Sequence, residues 1–226
     1  MRQLRQIRRA LSLREHLISR KAQHHAPMLA ATIDLDGLYE IRSRARKLSP
    51  SLMDLKYFHI EYWCAEALRR MLFFGIEKVR KKKILDIGTG FGLFPYACEY
   101  FAANVQAIDR EGHALYDEIT DFLGLRKTHH TVKRRQPLPD LGVRFNLITS
   151  YLIAFDRPEN EEIWSVEDWR FFIDDVFDNQ LNADGTLHLE LNYIFPIRNW
   201  YSKEVKRLFV ERGARIDFDR VTLSKR

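Results

Sequence analysis

The sequence predicts an α/β protein with a doubly wound, mostly parallel sheet of six to seven strands and a helical N-terminal extension. From Lys83 onward, short apolar runs typical of strands alternate with amphipathic segments typical of helices. Parallel strands need such crossover helices, so the alternation favours a parallel sheet. In addition, the first apolar run leads directly into a glycine-rich turn, and sheets of this class bind ligands at that place.

The amino-acid composition is that of a folded chain. The 226 residues are 46% hydrophobic and 12% aromatic, which is enough to bury a core and excludes a disordered protein. No apolar run is long enough to span a bilayer, and charges interrupt the N-terminus too often for a secretory signal. We therefore expect a cytoplasmic protein in which Cys64 and Cys98 remain buried, reduced thiols.

The N-terminal extension is strongly basic. Its first 25 residues hold seven arginines and lysines against a single acid, Glu15, and residues 1–21 place apolar side chains at helical spacing on one face. Such a helix can pack on the domain, act as a transit peptide, or contact a nucleic acid or a membrane. Residues 22–37 contain a proline and a glycine and are predicted to be a linker, and a short polar helix follows to Leu48.

The next segment, residues 51–80, is predicted to be one long helix. Its apolar side chains recur at intervals of three and four residues. Ser49 can cap the N-terminus of this helix, and Pro50 suits its first turn.

The alternation after Lys83 sets the order of the remaining elements. Gly124 and Gly213 are expected to end helices, and Ser165 is expected to begin one. The predicted strands are 84–88, 104–109, 129–134, 144–152, 185–192 and 214–223. The predicted helices are 93–103, 114–125, 166–182 and 202–213.

The turn after the first strand reads ILDIGTGFG, with Gly88, Gly90 and Gly92 at alternate positions. A dinucleotide fingerprint requires G-x-G-x-x-G, but Leu93 stands in the place of its third glycine. A phosphate-binding P-loop is excluded because no Gly-Lys-Ser/Thr follows. Asp86, two residues before the first glycine, has no part in the dinucleotide pattern.

This turn resembles motif I of the class I S-adenosylmethionine-dependent methyltransferases, in which an apolar strand, an acid and alternate glycines follow one another. Asp109 ends the second strand seventeen residues after Gly92, where that family keeps its ribose-binding acid. The resemblance extends from about Lys83 to Asn192. It implies a Rossmann-like fold, an enzyme that transfers methyl groups, and S-adenosyl-L-methionine as cofactor. The chain is accordingly divided into a basic helical extension, 1–50, and a methyltransferase domain, 51–226, with a helical lid or approach at 51–80 and a core at 83–226.

The resemblance also implies roles for single residues. Asp86 is expected to reach toward the methionine ammonium group, Asp109 to accept both ribose hydroxyls, and Arg110 or Glu111 to lie along the adenine edge. The residues expected to bind the cofactor are Asp86, Gly88, Thr89, Gly90, Phe91, Gly92, Asp109, Arg110, Gln136 and Ser150.

The sequence departs from the family pattern in two places. Many members carry an acid after the third strand that bonds the adenine amino group, but residues 133–139 contain none, so backbone groups near Arg135 or Gln136 would have to take its place. The family fold ends in a hairpin pair of strands, yet one long strand follows Gly213. Either this strand bends to serve as both, or the last strand is missing.

Methyl transfer needs an aligned acceptor, and a base only where the acceptor is protonated. Candidates lie at the carboxyl ends of the fourth and fifth strands or early in the 51–80 helix. The predicted catalytic residues are Tyr151, Glu190 and His59. The predicted acceptor-binding residues are Tyr57, Asp156, Asn192, Tyr193 and Arg135. No metal site is predicted, and an NPPY motif or a cysteine nucleophile is absent at these ends.

The acceptor is expected to be a small molecule with an oxygen or nitrogen nucleophile. The basic run 133–135 is predicted to end the third strand and to make the acceptor mouth positive, which favours an anionic acceptor, whereas the run 78–83 is expected at the opposite edge of the sheet. An RNA methyltransferase using the basic N-terminal helix is one alternative, and a non-catalytic cofactor-binding or regulatory module is another. The sequence does not predict an oligomeric state.

Overall fold

A computed structural model describes residues 2–48, 52–156, 163–192 and 202–225. The chain forms two compact units, and each unit is built from three separate segments of the sequence. The first comprises Met1–Lys81, Phe91–Asn104 and His113–Leu125, and the second comprises Lys82–Gly90, Val105–Gly112 and Arg126–Arg226.

The first unit is helical. Short 3-10 segments, Leu52–Phe58 and Ile76–Lys78, flank its third helix. Its helices are α1 (Arg2–Ala30), α2 (Leu35–Leu48), α3 (Ile60–Phe73), α4 (Leu93–Tyr100) and α5 (Ala114–Phe122).

Helix α1 corrects the prediction of a linker at 22–37, because it continues without a break through Pro27 to Ala30. Proline disfavours a helix interior, but here it lies in the last turn, and Ala22, Ala26 and Leu29 around it are almost fully buried. Helix α1 packs against α3 within this unit. Burial of this apolar face outweighs the local signal of the proline.

The prediction of one long helix over 51–80 is also wrong. His59 has ψ of 68°, which interrupts the helical path, and α3 begins only after it. The 3-10 segment is held by tertiary contacts: the Trp63 indole donates to the Lys56 carbonyl (2.9 Å), and Asp54 accepts from the Tyr116 hydroxyl (2.9 Å). Ser49 and Pro50 lie outside the described residues.

The second unit contains the sheet. In the described part of the chain, seven strands occur in the order β3-β2-β1-β4-β5-β7-β6. β1 pairs with β4, β4 with β5 and β2 with β3 in parallel, whereas β7 runs antiparallel to β5 and β6. The predicted fold class is therefore confirmed. The strands are β1 (Lys83–Ile87), β2 (Asn104–Asp109), β3 (Lys127–His129), β4 (Phe145–Ile153), β5 (Leu181–Leu191), β6 (Arg215–Asp217) and β7 (Arg220–Ser224).

One strand prediction needs correction, and one of the two alternatives for the C-terminal strand is confirmed. β3 ends at His129 and does not extend to residue 134, so the basic run 133–135 lies in the loop beyond it. The predicted final strand 214–223 bends at Phe218 (φ 56°) and forms both strands of the terminal hairpin. Two-residue hairpin loops are often recognised in a sequence by Asn-Gly or Asp-Gly, and Phe218-Asp219 does not match this pattern.

Two helices of this unit begin as predicted. Ser165 caps α6 (Val166–Asp175) in a reciprocal capping box with Asp168, and Ser202 caps α7 (Lys203–Glu211). Their apolar faces join those of the strands in one core, whose largest fully buried side chains include Trp169, Phe145 and Phe209.

Both cysteines are fully buried thiols in the first unit, as predicted. Cys64 lies in α3 and Cys98 in α4. Burial, with a smaller contribution from the negative charge of Glu61, raises the pKa of the Cys64 thiol to about 12, so this thiol stays protonated at neutral pH.

Candidate functional site at the carboxyl edge of the sheet

The parallel strands of the second unit bring their carboxyl ends to one edge. The backbone N–H of Gly88, just after β1, donates to the carbonyl of Ile108 near the end of β2 (2.8 Å). β4 pairs in parallel with β1, and β5 pairs in parallel with β4, so their carboxyl ends lie at the same edge. This edge is where an open α/β sheet binds its ligand.

The glycine turn depends on its glycines for backbone conformation. Gly88, Gly90 and Gly92 have φ values of 73°, 54° and 80°, which side chains with a Cβ rarely adopt. A Cβ added at Gly88 would meet nothing within 4 Å, so the space beside it is open. Gly92, in the first unit, differs: a Cβ there would lie 2.5 Å from Leu125 Cδ1.

Asp109 is fixed by the turn. Its Oδ2 accepts the N–H of Gly90 (2.7 Å) and its Oδ1 accepts the N–H of Arg110 (2.8 Å). Each carboxylate oxygen can accept two hydrogen bonds, so the orientation is set while acceptor capacity remains. The structure therefore brings Asp109 and Gly90 together, and it places Arg110 next to them as an exposed residue.

Asp86 is a buried acid, 3% exposed, at the end of β1. Its Oδ1 accepts the hydroxyl of Thr149 (2.8 Å), the residue opposite it on β4. The next residue on β4, Ser150, donates its hydroxyl to the Ile87 carbonyl (2.8 Å). Side chains of β4 thus orient the end of β1, and Ser150 acts on its backbone.

These residues fit a cofactor that is cationic and rich in hydroxyls. Thr89 Oγ1, in the turn, is buried and has no hydrogen-bond partner among the described residues. Thr89 follows Gly88 in the chain and precedes Gly90, whose N–H donates to Asp109. A buried hydroxyl without a protein partner is a group with which a polar ligand could form a hydrogen bond.

The carboxyl end of β4 is irregular. Leu152 has φ of 54°, and the pairing of β4 with β5 shifts register between Tyr151 and Ile153. The Asn192 amide donates to the carbonyls of both Leu152 and Ile153, each at 2.8 Å. Asn192, predicted to bind the acceptor, thus holds a β-bulge at the strand end.

Two predicted catalytic residues lie beside this bulge. Tyr151 and Glu190 are direct partners in the β4–β5 pairing, and the Tyr151 ring lies 5.8 Å from the ring of His188. Glu190 is buried and faces Arg220 of β7.

Sequence reasoning missed Asp219. Burial raises its pKa above the ordinary value, its own backbone N–H opposes that rise, and the charge of Glu190 adds to it. The turn between β6 and β7 brings Asp219 to the carboxyl edge, where its carbonyl accepts the N–H of Leu191 (2.9 Å). The sequence does not mark where the segment 214–223 bends, so Asp219 could not be placed in the turn.

Arg135 lies in the loop after β3 with φ of 51°. Its Nε donates to Asp168 Oδ1 at the start of α6 (2.9 Å). Burial alone would raise the pKa of Asp168, but hydrogen bonds from the backbone and hydroxyl of Ser165, and then Arg135, outweigh it and lower that pKa. Gln136, predicted to lie near the adenine, is exposed.

The remaining acceptor-site predictions are placed as follows. Asp156 is buried, and its carbonyl accepts the N–H of Trp164 (2.9 Å). Tyr193 lies outside the described residues.

The residues predicted from the 51–80 segment lie in the first unit. The Tyr57 ring stacks on Phe91 (5.7 Å) and contacts Trp63 (4.7 Å), whereas His59 is exposed. Tyr57 and Phe91, predicted to bind acceptor and cofactor respectively, are thus brought together.

The first unit also contains a buried polar cluster that sequence reasoning missed. His113 Nε2 lies 3.3 Å from Asp54 Oδ2, and the His113 and Tyr116 rings stack at 3.6 Å. Nδ1 of His113 accepts the N–H of Tyr116 and so caps α5.

Among the described residues, no group of three or more histidines, cysteines, aspartates or glutamates could hold a metal ion. A search of the same residues finds no helix with both the length and the apolar character needed to cross a membrane.

No protein-family model matches the sequence, and no curated protein matches it. Several solved structures are similar to this chain. A ribosomal protein L11 methylase from Lactobacillus delbrueckii subsp. bulgaricus is 19% identical, with 71% of this chain and 77% of that chain covered and a TM-score of 0.43. A TehB-like SAM-dependent methyltransferase from Corynebacterium glutamicum is 15% identical, with coverage of 72% and 96% and a TM-score of 0.46.

A third similar structure is a SAM-bound amino pentose methyltransferase from Micromonospora echinaspora, 22% identical, with 70% of this chain covered and a TM-score of 0.45; the match spans 57% of that chain. The strand order β3-β2-β1-β4-β5-β7-β6, with its terminal antiparallel pair, is that of a Rossmann-like α/β fold.

Proposed function

We propose that this chain is an S-adenosylmethionine-dependent methyltransferase that acts on an oxygen or nitrogen of a small molecule. The position of Asp109 carries the proposal. Its two carboxylate oxygens each accept one main-chain N–H at the glycine turn. A carboxylate held in this way keeps lone pairs on both oxygens for two neighbouring hydroxyls, and a ribose supplies such a pair.

The charge of the turn supports the same proposal. Asp86 and Asp109 stand at the ends of the two strands that the Gly88–Ile108 hydrogen bond joins. Two acids so placed repel phosphates and attract cations. Dinucleotides are therefore disfavoured, whereas adenosylmethionine carries a sulfonium, an ammonium group and no phosphate. Glycine without a side chain at position 88 leaves the backbone open to close approach.

When bound, the cofactor supplies a methyl group on a positively charged sulfur. The residues of the chain would then hold the acceptor in line, exclude water and take the acceptor's proton where it has one. In the second unit we propose Glu190, which pairs with Tyr151, as the base that accepts this proton, because it is a carboxylate at the carboxyl edge. His59, exposed in the first unit, remains a second candidate.

Calorimetry with adenosylmethionine tests the cofactor claim. Asp109→Ala is expected to raise Kd by about tenfold to a hundredfold, since it removes charge-assisted hydrogen bonds. Asp109→Asn keeps the shape and should be intermediate. Asp184→Ala removes an exposed acid in β5 and should bind like the parent. Failure of the parent to bind, or equal binding by Asp109→Ala, would refute the proposal.

Turnover separates an enzyme from a binding module. The parent should release S-adenosylhomocysteine when a pool of small-molecule acceptors is added, and Glu190→Gln should slow this release while cofactor affinity is retained. RNA as the acceptor is not part of the proposal. Among the described basic side chains of α1, Arg14 donates to the Phe73 carbonyl (3.0 Å) and Lys21 lies 3.7 Å from Glu77, so these two are engaged within the first unit.

A further inference from the structure

The second unit has a pocket of about 370 Å³ whose lining includes no residue of the glycine turn. It lies between the loop after β3 and the start of α6, and it is lined by Arg134, Arg135, Ile163, Ser165 and Asp168. We propose that this pocket binds the anionic group, carboxylate or phosphate, of the methyl acceptor. The inference rests on the proposed function and adds a substrate class and a subsite to it.

The pocket belongs to the carboxyl edge of the sheet. His130, which opens the loop, donates its N–H to the carbonyl of Asp109 (2.8 Å), so the loop starts beside the residue assigned to the cofactor. α6 follows β4 along the chain and therefore begins at the end of the sheet where β4 finishes. Both walls of the pocket thus start from strands whose ends form the candidate site.

The charge available in the pocket is positive. Two guanidiniums and one carboxylate line it, but Asp168 is already satisfied. Its Oδ2 accepts the N–H and hydroxyl of Ser165 (both 2.8 Å), its Oδ1 accepts from Arg135, and its side chain is 6% exposed. The Asp168 carboxylate is already paired with Arg135 and almost fully buried, so little of its charge faces an incoming ligand. An incoming ligand would meet the exposed guanidinium of Arg135.

Arg135 is prepared for such a ligand. Its side chain is 63% exposed, and its Nε bond to Asp168 fixes the plane of the guanidinium. Because that fork is rigid, fixing one nitrogen orients the terminal nitrogens that face solvent. The backbone of Arg135 adopts a left-handed conformation, φ 51°, which costs a residue with a side chain energy and is common at binding sites.

The apolar wall indicates an organic anion. Ile163 lines the pocket and is 62% exposed. An isoleucine that lines the same pocket as Arg135 would contact the carbon skeleton of a ligand whose charged group Arg135 holds. An inorganic ion would leave this side chain in water.

Nuclear magnetic resonance of the full ¹⁵N-labelled chain tests the subsite without knowledge of the acceptor. Sodium phosphate and sodium benzoate are titrated separately at constant ionic strength. We expect saturable shifts of the Arg135 Nε–H and of the backbone amides of Arg135 and Ser165, with benzoate also perturbing the Ile163 methyl region. Arg135→Gln should weaken binding by roughly tenfold or more. Arg135→Lys, which keeps the charge but not the fork, should weaken it less.

Arg170→Gln is the matched control, since it removes an exposed arginine of α6 that does not line the pocket. It should bind both probes as the parent does. Circular dichroism melts check that each variant is folded, and calorimetry with adenosylmethionine on the same variants keeps the two proposals separate. Equal binding by Arg135→Gln and the parent, or no shifts in the folded parent, would overturn the subsite even if cofactor binding is intact. Loss of cofactor binding in the parent would instead overturn the proposed function.

Discussion

The ends of β1 and β4 solve the same geometric problem in different ways. Each strand leaves the sheet at the carboxyl edge through a residue with positive φ: Gly88 after β1, and Leu152 within β4. Glycine adopts this conformation at little cost, so the turn after β1 is stable by its own chemistry. Leucine does not, so the bend in β4 depends on partners elsewhere, chiefly the Asn192 amide. A glycine turn is local, whereas a strained bulge is a property of the folded unit.

The most severe way to break the glycine turn is at Gly92. Gly92→Ala combines a strained φ of 80° with a Cβ only 2.5 Å from Leu125 Cδ1 and 3.1 Å from Thr120 Cγ2. We expect a loss of about 2 to 4 kcal/mol in the free energy of unfolding, measured in urea. Gly88→Ala has a similar φ but open space, so its cost should be nearer about 1 kcal/mol. Equal losses would show that backbone strain alone governs the turn.

Asn192→Ala breaks the bulge of β4 by leaving two carbonyls without their donor. The expected loss is about 1 to 2 kcal/mol of unfolding free energy. Asn182→Ala is the control, because its amide makes one long, exposed hydrogen bond, 3.4 Å to the Arg144 carbonyl. If both variants lose the same small amount, Asn192 does not hold the bulge.

Two substitutions at Leu152 measure the backbone strain of the bulge directly. Leu152→Ala and Leu152→Gly lose the same packing beyond Cβ, but only glycine accepts φ of 54° without penalty. The glycine variant should therefore be more stable than the alanine variant by about 1 kcal/mol, the reverse of their order in an ordinary strand. Urea unfolding of the two variants side by side decides the sign.

Substitution of Asp219 is expected to have the smallest effect on stability, and this effect should depend on pH. Its folded pKa is raised above the ordinary value of 3.8, so its stabilising contribution is complete below pH 3.8 and is lost as pH rises through the folded pKa. Asp219→Asn, which cannot ionise, should melt above the parent at pH 7, and the gap should narrow as pH falls toward 3.8. Asp184→Asn, an exposed acid, should show no such gap. A gap that widens on acidification would contradict the sign.

The sequence predicted those features whose residues are determined by local conformation. Gly88, Gly90 and Gly92 revealed the turn, and Ser165 revealed a helix start, because each residue type suits its backbone position. Long apolar strands such as β4 were found for the same reason.

Features set by tertiary contacts escaped prediction. α1 passes through Pro27 because its neighbours are buried, and the segment before α3 breaks at His59 where Asp54 and Trp63 find partners. In the candidate site, Asp86 and Asp109 could be named from the turn. The engagement of Asn192 with β4, of Asp168 with Arg135, and the arrival of Asp219 at the sheet edge required the folded second unit.

Because the two cysteines are buried, their rate of reaction with a thiol reagent can measure local opening of the chain. Both thiols are inaccessible and both belong to the first unit, whereas the segments of the second unit contain no cysteine. A thiol reagent can therefore react only when the chain around α3 or α4 opens, and the reaction rate reports that local opening. Hydrogen exchange of the β-strands then times the second unit independently, in the same sample and without any substitution.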